Sequence, residues 1–369
     1  MCRCTAASLP LPLLCMCLAA PVSPTFLKHL RTFQGKNFVS SMLSGQYSAT
    51  KPPAVRRCCG HFWYPSKIWY SDGSIVLQAE AVQFRVHTSI LSAASSVFRD
   101  MLEVAQGPAD IADQVEGCPL VHLSDDKAVD VGFVLEALYD RNFYKTKKKT
   151  FGQVEAMWRL GKKYGFDELR DDAVGRLQYI FPSTLADMHA RYWSPDTPVD
   201  FGMSKYPGFS FDAVNLARAT GLISILPTAL IISCLSSSDL RTAQEKILSG
   251  RPRGDGSTAH LSGEDKALCI LAMSDLLRKQ WDGPYAWLHK SSCLNTNCRA
   301  LREDLKTAIW TPIPRFVSLN RRMVDGSFCE VCKQYNLAVF TVGQRALWEE
   351  LPSVFGLPSW EDIAKEMEW

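Results

Sequence analysis

The chain has no apolar run of the roughly 18 to 20 residues that crossing a bilayer requires. The nearest candidate, 222–235, is shorter and carries Pro227. No Asn-x-Ser/Thr glycosylation sequon occurs anywhere in the 369 residues. The thirteen cysteines are odd in number and scattered, without the paired spacings of a secreted disulfide framework. Cys234 and Cys269 fall in apolar stretches, where a free thiol packs as a small hydrophobe. An excess of one charge is also missing: 41 basic residues against 38 acidic ones leave a net +3. That balance argues against a dedicated nucleic-acid surface, which needs a concentrated basic face. The basic cluster Lys145, Lys147, Lys148 and Lys149 is expected to be a solvated loop. There is no Gly-rich phosphate loop, Gly-x-Ser-x-Gly elbow or His-Glu-x-x-His sequence, and no repeat of fixed period. The carboxylate pairs Asp125-Asp126 and Glu349-Glu350 are expected to cap helices or lie on polar faces. No residue is nominated as catalytic, and no small-molecule substrate is expected.

These absences point to a reduced, intracellular protein of the cytoplasm or nucleus, without a membrane span. One feature pulls the other way. Arg3 precedes an apolar stretch over 9–20, and Ala19-Ala20-Pro21-Val22-Ser23 follows, which superficially resembles a secretory signal. Residues 1–60 are otherwise rich in Ser, Pro, Ala and basic residues with little periodicity, and are expected to be a tail or leader-like segment.

With 47% hydrophobic and 21% charged residues, the remainder can bury a substantial core as two domains, or as one domain with a helical extension. Ordered patterning begins at Ile68. Ser71-Asp72-Gly73-Ser74 is turn chemistry, followed by a strand at Ile75-Val76-Leu77. Val82, Phe84 and Val86 alternate with Gln83, Arg85 and His87, the period of a second strand with one buried face. Thr88 or Ser89 then caps a helix through Leu102, with Ile90, Leu91, Ala94 and Phe98 inward. A third strand covers 119–123. Helices follow with Val131, Val134, Leu135 and Leu138 buried, then Val154, Met157 and Trp158 up to Gly165, then Leu169, Ala173, Leu177 and Ile180. A small sheet capped by helices is an α+β architecture. Beyond Pro182 the chain reads as mainly helical, with helices near 211–220, 226–236, 264–277 and 296–309 and a mobile Gly- and Arg-rich break at 249–262.

The ordered motifs Asp72-Gly73-Ser74-Ile75-Val76-Leu77, Phe84-Arg85-Val86-His87-Thr88-Ser89-Ile90-Leu91 and Ser95-Ser96-Val97-Phe98-Arg99-Asp100-Met101-Leu102 resemble a BTB/POZ domain, here over 66–180. The likeness is strongest to such proteins of mushroom-forming (basidiomycete) fungi, and 181–369 resembles their helical C-terminal region. The acidic pair usual before the glycine is here Ser71-Asp72. The resemblance implies a BTB/POZ fold and a protein–protein interaction role. It implies protein partners, self-association as a homodimer, and recruitment to a cullin-type ubiquitin-ligase scaffold or action as a transcriptional co-regulator. Asp72, Gly73, His87, Ser89 and Phe98 would be structural motif positions, and Val97 and Met101 the part of the helical face left for a partner.

One constellation stands apart from that likeness. Cys293-x4-Cys298 and, some thirty residues on, Cys329-x2-Cys332 give two thiol pairs. A tetrahedral zinc takes four soft ligands, and close spacing lets one loop supply two of them. These four cysteines are candidate ligands of one structural zinc, with His289 as a spare. The alternative function is a zinc-stabilised regulator associated with nucleic acid through Arg315, Arg321 and Arg322.

Overall fold

The computed structural model describes residues 56–58, 61–104, 114–140, 143, 148–192, 202–235, 239–309 and 327–365. Residues 1–55 of the expected 1–60 tail, Lys145, Lys147 and the arginines at 315, 321 and 322 lie outside them, whereas 56–58, expected in the tail, form a strand. From Val55 onward the chain forms one compact unit.

A six-stranded sheet carries the first half. Its strands are β1 (Arg56–Cys58), β2 (His61–Trp69), β3 (Ile75–Ala79), β4 (Val82–Val86), β5 (Gln114–Val115) and β6 (Cys118–His122), in the order β1-β2-β4-β3-β6-β5. The β3–β4 hairpin expected from the alternating pattern is present, with Ile75 opposite Val86 and Ala79 opposite Val82. β2 begins at His61, seven residues before the first patterned residue, and runs parallel to β4. The alternation misleads at Gln83, which is buried and donates to Gln78 Oε1 at 2.7 Å. The central strand β3 is buried along nearly its whole length because both faces are covered. Ile75 and Leu77 join the main core, while Val76 packs with Val115 and Cys118 on the other face.

The helix expected to run to Leu102 is two: α1 (Thr88–Ala94) and α2 (Ser96–Val104). Ser95 between them is extended at φ −137° and ψ 123°. Its hydroxyl accepts from Phe98 N at 2.9 Å and donates to the Tyr164 carbonyl, so a side chain replaces the broken ladder. Neither Thr88 nor Ser89 caps α1; the N-cap is His87, without a side-chain bond, and Ile90 is only half-buried.

Three helices complete this module: α3 (Ala128–Tyr139), α4 (Phe151–Tyr164) and α5 (Asp167–Ile180). Asp125 and Asp126 do not cap α3. The Glu80 carboxylate, from the β3–β4 turn, accepts from Ala128 N at 3.0 Å instead. Asp126 is buried and accepts from Lys163 Nζ at 2.8 Å and Tyr164 Oη at 2.5 Å, tying the loop before α3 to the end of α4. Thr150 and Gln153 form a capping box at the start of α4, and Gly165 ends it in the left-handed region at φ 67°.

The rest is mainly helical: α6 (Leu185–Tyr192), α7 (Phe209–Thr220), α8 (Leu226–Cys234), α9 (Leu240–Ser249), α10 (Gly263–Asp282), α11 (Thr296–Ile309), α12 (Glu330–Glu349), α13 (Leu351–Val354) and α14 (Trp360–Lys365). The sequence located α7, α8, α10 and α11, and missed α6, α9 and α12. The Gly- and Arg-rich break is an ordered pairing of β7 (Arg251–Pro252) with β8 (Thr258–Ala259), in which Arg251 faces Ala259. Its Arg253 clamps Asp212 through two nitrogens, at 2.6 and 2.8 Å. The main core runs without interruption from Ile68 to Phe355. Phe209 stacks on Phe181 at 5.7 Å and meets Phe151 edge-on at 5.4 Å, joining the two halves of the chain. Cys234 and Cys269 are buried free thiols within this core. No helix among the described residues is long and apolar enough to cross a membrane.

Candidate interaction surface and metal centre

Asp72, Gly73 and His87 lie at one junction of the sheet–helix module. His87 Nδ1 is 3.1 Å from Tyr139 Oη, its backbone N–H donates to the same oxygen at 2.8 Å, and its Nε2 lies 3.3 Å from Asp72 Oδ1. Tyr70 stacks on Tyr139 at 4.6 Å. Hydrogen bonds from its own backbone N–H and from His87 hold the Asp72 carboxyl below its ordinary range. Burial raises the Tyr139 phenol. Gly73 has no room for a side chain, since a Cβ there would stand 2.9 Å from Arg85 Cγ and 3.0 Å from two carbonyl oxygens. His87 therefore latches the turn, the end of β4 and the end of α3 together.

On the adjoining helical face, Phe98 is buried and stacks on Tyr164 at 5.2 Å. Val97 is 42% exposed, while Met101 is half-buried against the core. Of the two residues expected to meet a partner, Val97 stands clear and Met101 is partly withdrawn into the core. Ser89 is exposed on α1.

A cleft of about 920 Å³ lies between α5–α6 and α12–α14 and is lined by Tyr179, His189, Arg191, Gln344, Trp348 and Trp360 among others. Its polar groups serve helix packing. Arg191 pairs with Asp187 at 3.0 Å and donates to the Tyr179 carbonyl at 2.6 Å; His189 meets Gln344 Nε2 at 3.0 Å. Trp348 Nε1–H donates to Ser183 O at 3.0 Å. The Thr184 hydroxyl that donates to Asp187 in the cleft also accepts from the Asp187 amide, a bonding pattern of a helix start.

Lys149, expected in a solvated basic loop, is buried instead. Its ammonium lies 3.5 Å from the Phe143 ring centre and donates to the Phe143 carbonyl, and burial lowers its pKa. It contributes nothing to a basic surface.

The four cysteines far apart in sequence come together. The Sγ atoms of Cys293, Cys298, Cys329 and Cys332 all lie within 4.8 Å of one another, and Cys293 Sγ is 4.0 Å from Cys329 Sγ. A zinc–sulfur bond of about 2.3 Å in a tetrahedron puts sulfurs about 3.8 Å apart. The set is close enough to hold a metal ion. Cys298 and Cys332 are buried, the other two half-buried. The Cys329 amide donates to Cys298 Sγ at 3.2 Å, and Arg302 Nη1 reaches Cys332 Sγ at 3.5 Å. The environments differ: a backbone hydrogen bond near Asn295 brings the Cys293 thiol down to about 7, whereas burial pushes Cys332 up to about 12. His289 does not join them; it stacks on Trp281 at 5.0 Å. A separate small core of Tyr285, Trp287, Leu288, Phe328 and Phe340 surrounds the thiols.

Sheet, hairpin, paired α1–α2 and the helices up to Ile180 are the setting in which the comparison with known families falls. Residues 69–180 match the BTB/POZ domain. This BTB/POZ domain is a protein–protein interaction module, not a known enzyme family. A search of curated proteins finds no match to the chain. The BTB/POZ match ends at Ile180, where α5 ends, and the mostly helical region follows.

Proposed function

We propose that the chain recruits a protein partner through its BTB/POZ domain, taken as 66–180, and that the domain also pairs with a second copy of itself. The region 181–369 then positions what is recruited, after a leader-like tail over 1–60. In this reading it acts in the cytoplasm or nucleus, as an adaptor to a cullin-type ubiquitin-ligase scaffold or as a transcriptional co-regulator, as its likeness to fungal BTB/POZ proteins suggests. The coincidence of the BTB/POZ match with the sheet and the five helices up to Ile180 carries the proposal. Val97 is its exposed contact, with half-buried Met101 on the same helix. Cys293, Cys298, Cys329 and Cys332 hold one structural zinc, a closed site with no open position for catalysis. Buried Lys149 speaks against the nucleic-acid alternative.

Affinity capture of the full chain from its native cell tests this against Val97→Glu. Val97 is solvent-exposed, so the variant should keep its stability within about 0.5 kcal/mol. Recovery of ligase scaffold subunits with the parent, reduced at least tenfold with Val97→Glu, supports the adaptor role. Equal recovery with both chains removes Val97 from the contact. A monomer by light scattering at high concentration removes self-pairing.

A further inference from the structure

Arg302, on α11, is only 4% exposed. Its Nη1 donates to Ser291 Oγ at 2.7 Å and reaches Cys332 Sγ at 3.5 Å. Among the described residues, no carboxylate forms an ion pair with it. A guanidinium taken out of water is expensive unless an anion compensates it. Cys332, which Arg302 reaches, belongs to the small core of Trp287, Leu288, Phe328 and Phe340. Of the two groups among the described residues that accept from Arg302, Ser291 Oγ and Cys332 Sγ, the thiol is the one that can become anionic.

Four neutral thiols would not compensate this charge. Four thiolates without a metal would overcompensate it and repel one another within 4.8 Å. A divalent ion bound by four thiolates leaves two negative charges, and one guanidinium halves that excess. Arg302 thus offsets part of the negative charge that four thiolates around a divalent ion would carry. The Cys329 amide pointing at Cys298 Sγ serves the same end, because N–H donors stabilise sulfur that carries negative charge.

We propose that Arg302 is the built-in counter-charge of a metal–tetrathiolate centre, selecting a thiophilic divalent ion and holding it in the closed, four-thiolate form. The inference rests on the metal reading above and adds to it a residue that is not a ligand. Arg302 is a positioning residue: it acts on the ion through Cys332 and through the orientation of Ser291. Two properties follow. Ions that favour oxygen, such as magnesium and calcium, should not compete, because neither the thiolates nor the guanidinium suits them. Charge and fork geometry should count separately, since lysine preserves the first and loses the second.

Cobalt(II) titration of the reduced, full-length chain, read from the visible bands of tetrahedral thiolate coordination, followed by zinc displacement against a chelator, tests the proposal. The parent should take up one equivalent. Arg302→Met should weaken zinc by about 10- to 100-fold, Arg302→Lys by less, and Arg299→Met, an exposed neighbour on the same helix, not at all. If the parent takes up no cobalt and instead joins Cys293 to Cys329 on oxidation, the metal reading falls and the inference with it. If the parent takes up one equivalent while Arg302→Met holds zinc as tightly, the counter-charge role alone is overturned. Should Arg302→Met fail to fold, Arg302→Gln, which keeps hydrogen-bond donors but loses the charge, decides: affinity equal to that of Arg299→Met overturns the counter-charge role, and a measurable loss sustains it.

Discussion

The main core and the small core around Trp287 use the same kinds of side chain, yet they are closed differently. The main core spans strands and helices from Ile68 to Phe355, and its large residues are covered on every side by others. The small core has seven buried residues, two of them the thiols Cys298 and Cys332, beneath half-buried Cys293 and Cys329. It must order the loop around 290–295 and the turn before α12, segments with few apolar residues of their own. Ordering backbone costs about 1–2 kcal/mol per residue, more than so few side chains return. One region is held by area buried; the other also brings four thiols within reach of one another.

The sharpest way to break this contrast is to load the chain with zinc, as proposed, and then strip it. In chelator, or in Cys332→Ser, amide protection in α11 and the first half of α12 should fall towards that of an unfolded chain, while α5 keeps its own. Hydrogen exchange reads both at once, and equal protection in the two states would erase the distinction. Next in size is Leu135→Ala in the main core. Leu135 is 1% exposed, and the truncation should cost about 2–5 kcal/mol in urea unfolding while leaving zinc uptake unchanged. The smallest effect concerns the His87 latch. Because the Asp72 carboxyl is held below its ordinary value of 3.8, its stabilisation is present above that pH and is lost as pH falls through the lower folded value. Asp72→Asn should flatten this acid limb of the stability curve, and an unchanged limb would remove Asp72 from the latch.

How much of this could be read from sequence depends on how far apart the partners lie. The β3–β4 hairpin, Gly165 as a helix stop and the four-cysteine set were legible because each is a local pattern or a pair spacing. Asp126, Lys149 and Gln83 were misjudged because their type says surface and their partners say interior. Asp126 is satisfied by residues 37 and 38 positions away. The Glu80 cap on α3 comes from 48 positions back. Ser95 splits α1 from α2 only because the Tyr164 carbonyl, 69 positions on, accepts from its hydroxyl. Arg302 had no sequence signal: nothing about one arginine in an amphipathic helix foretells that it faces thiols.

The seam at Phe209 has a practical side. Its ring covers both Phe151 and Phe181, one inside the matched region and one just past its end. A recombinant fragment stopped at Ile180 would expose Phe151 and the flank of α5 to solvent, inviting precipitation. Expression trials should therefore carry the chain at least through Lys365, so that Trp348 can still close over Ser183.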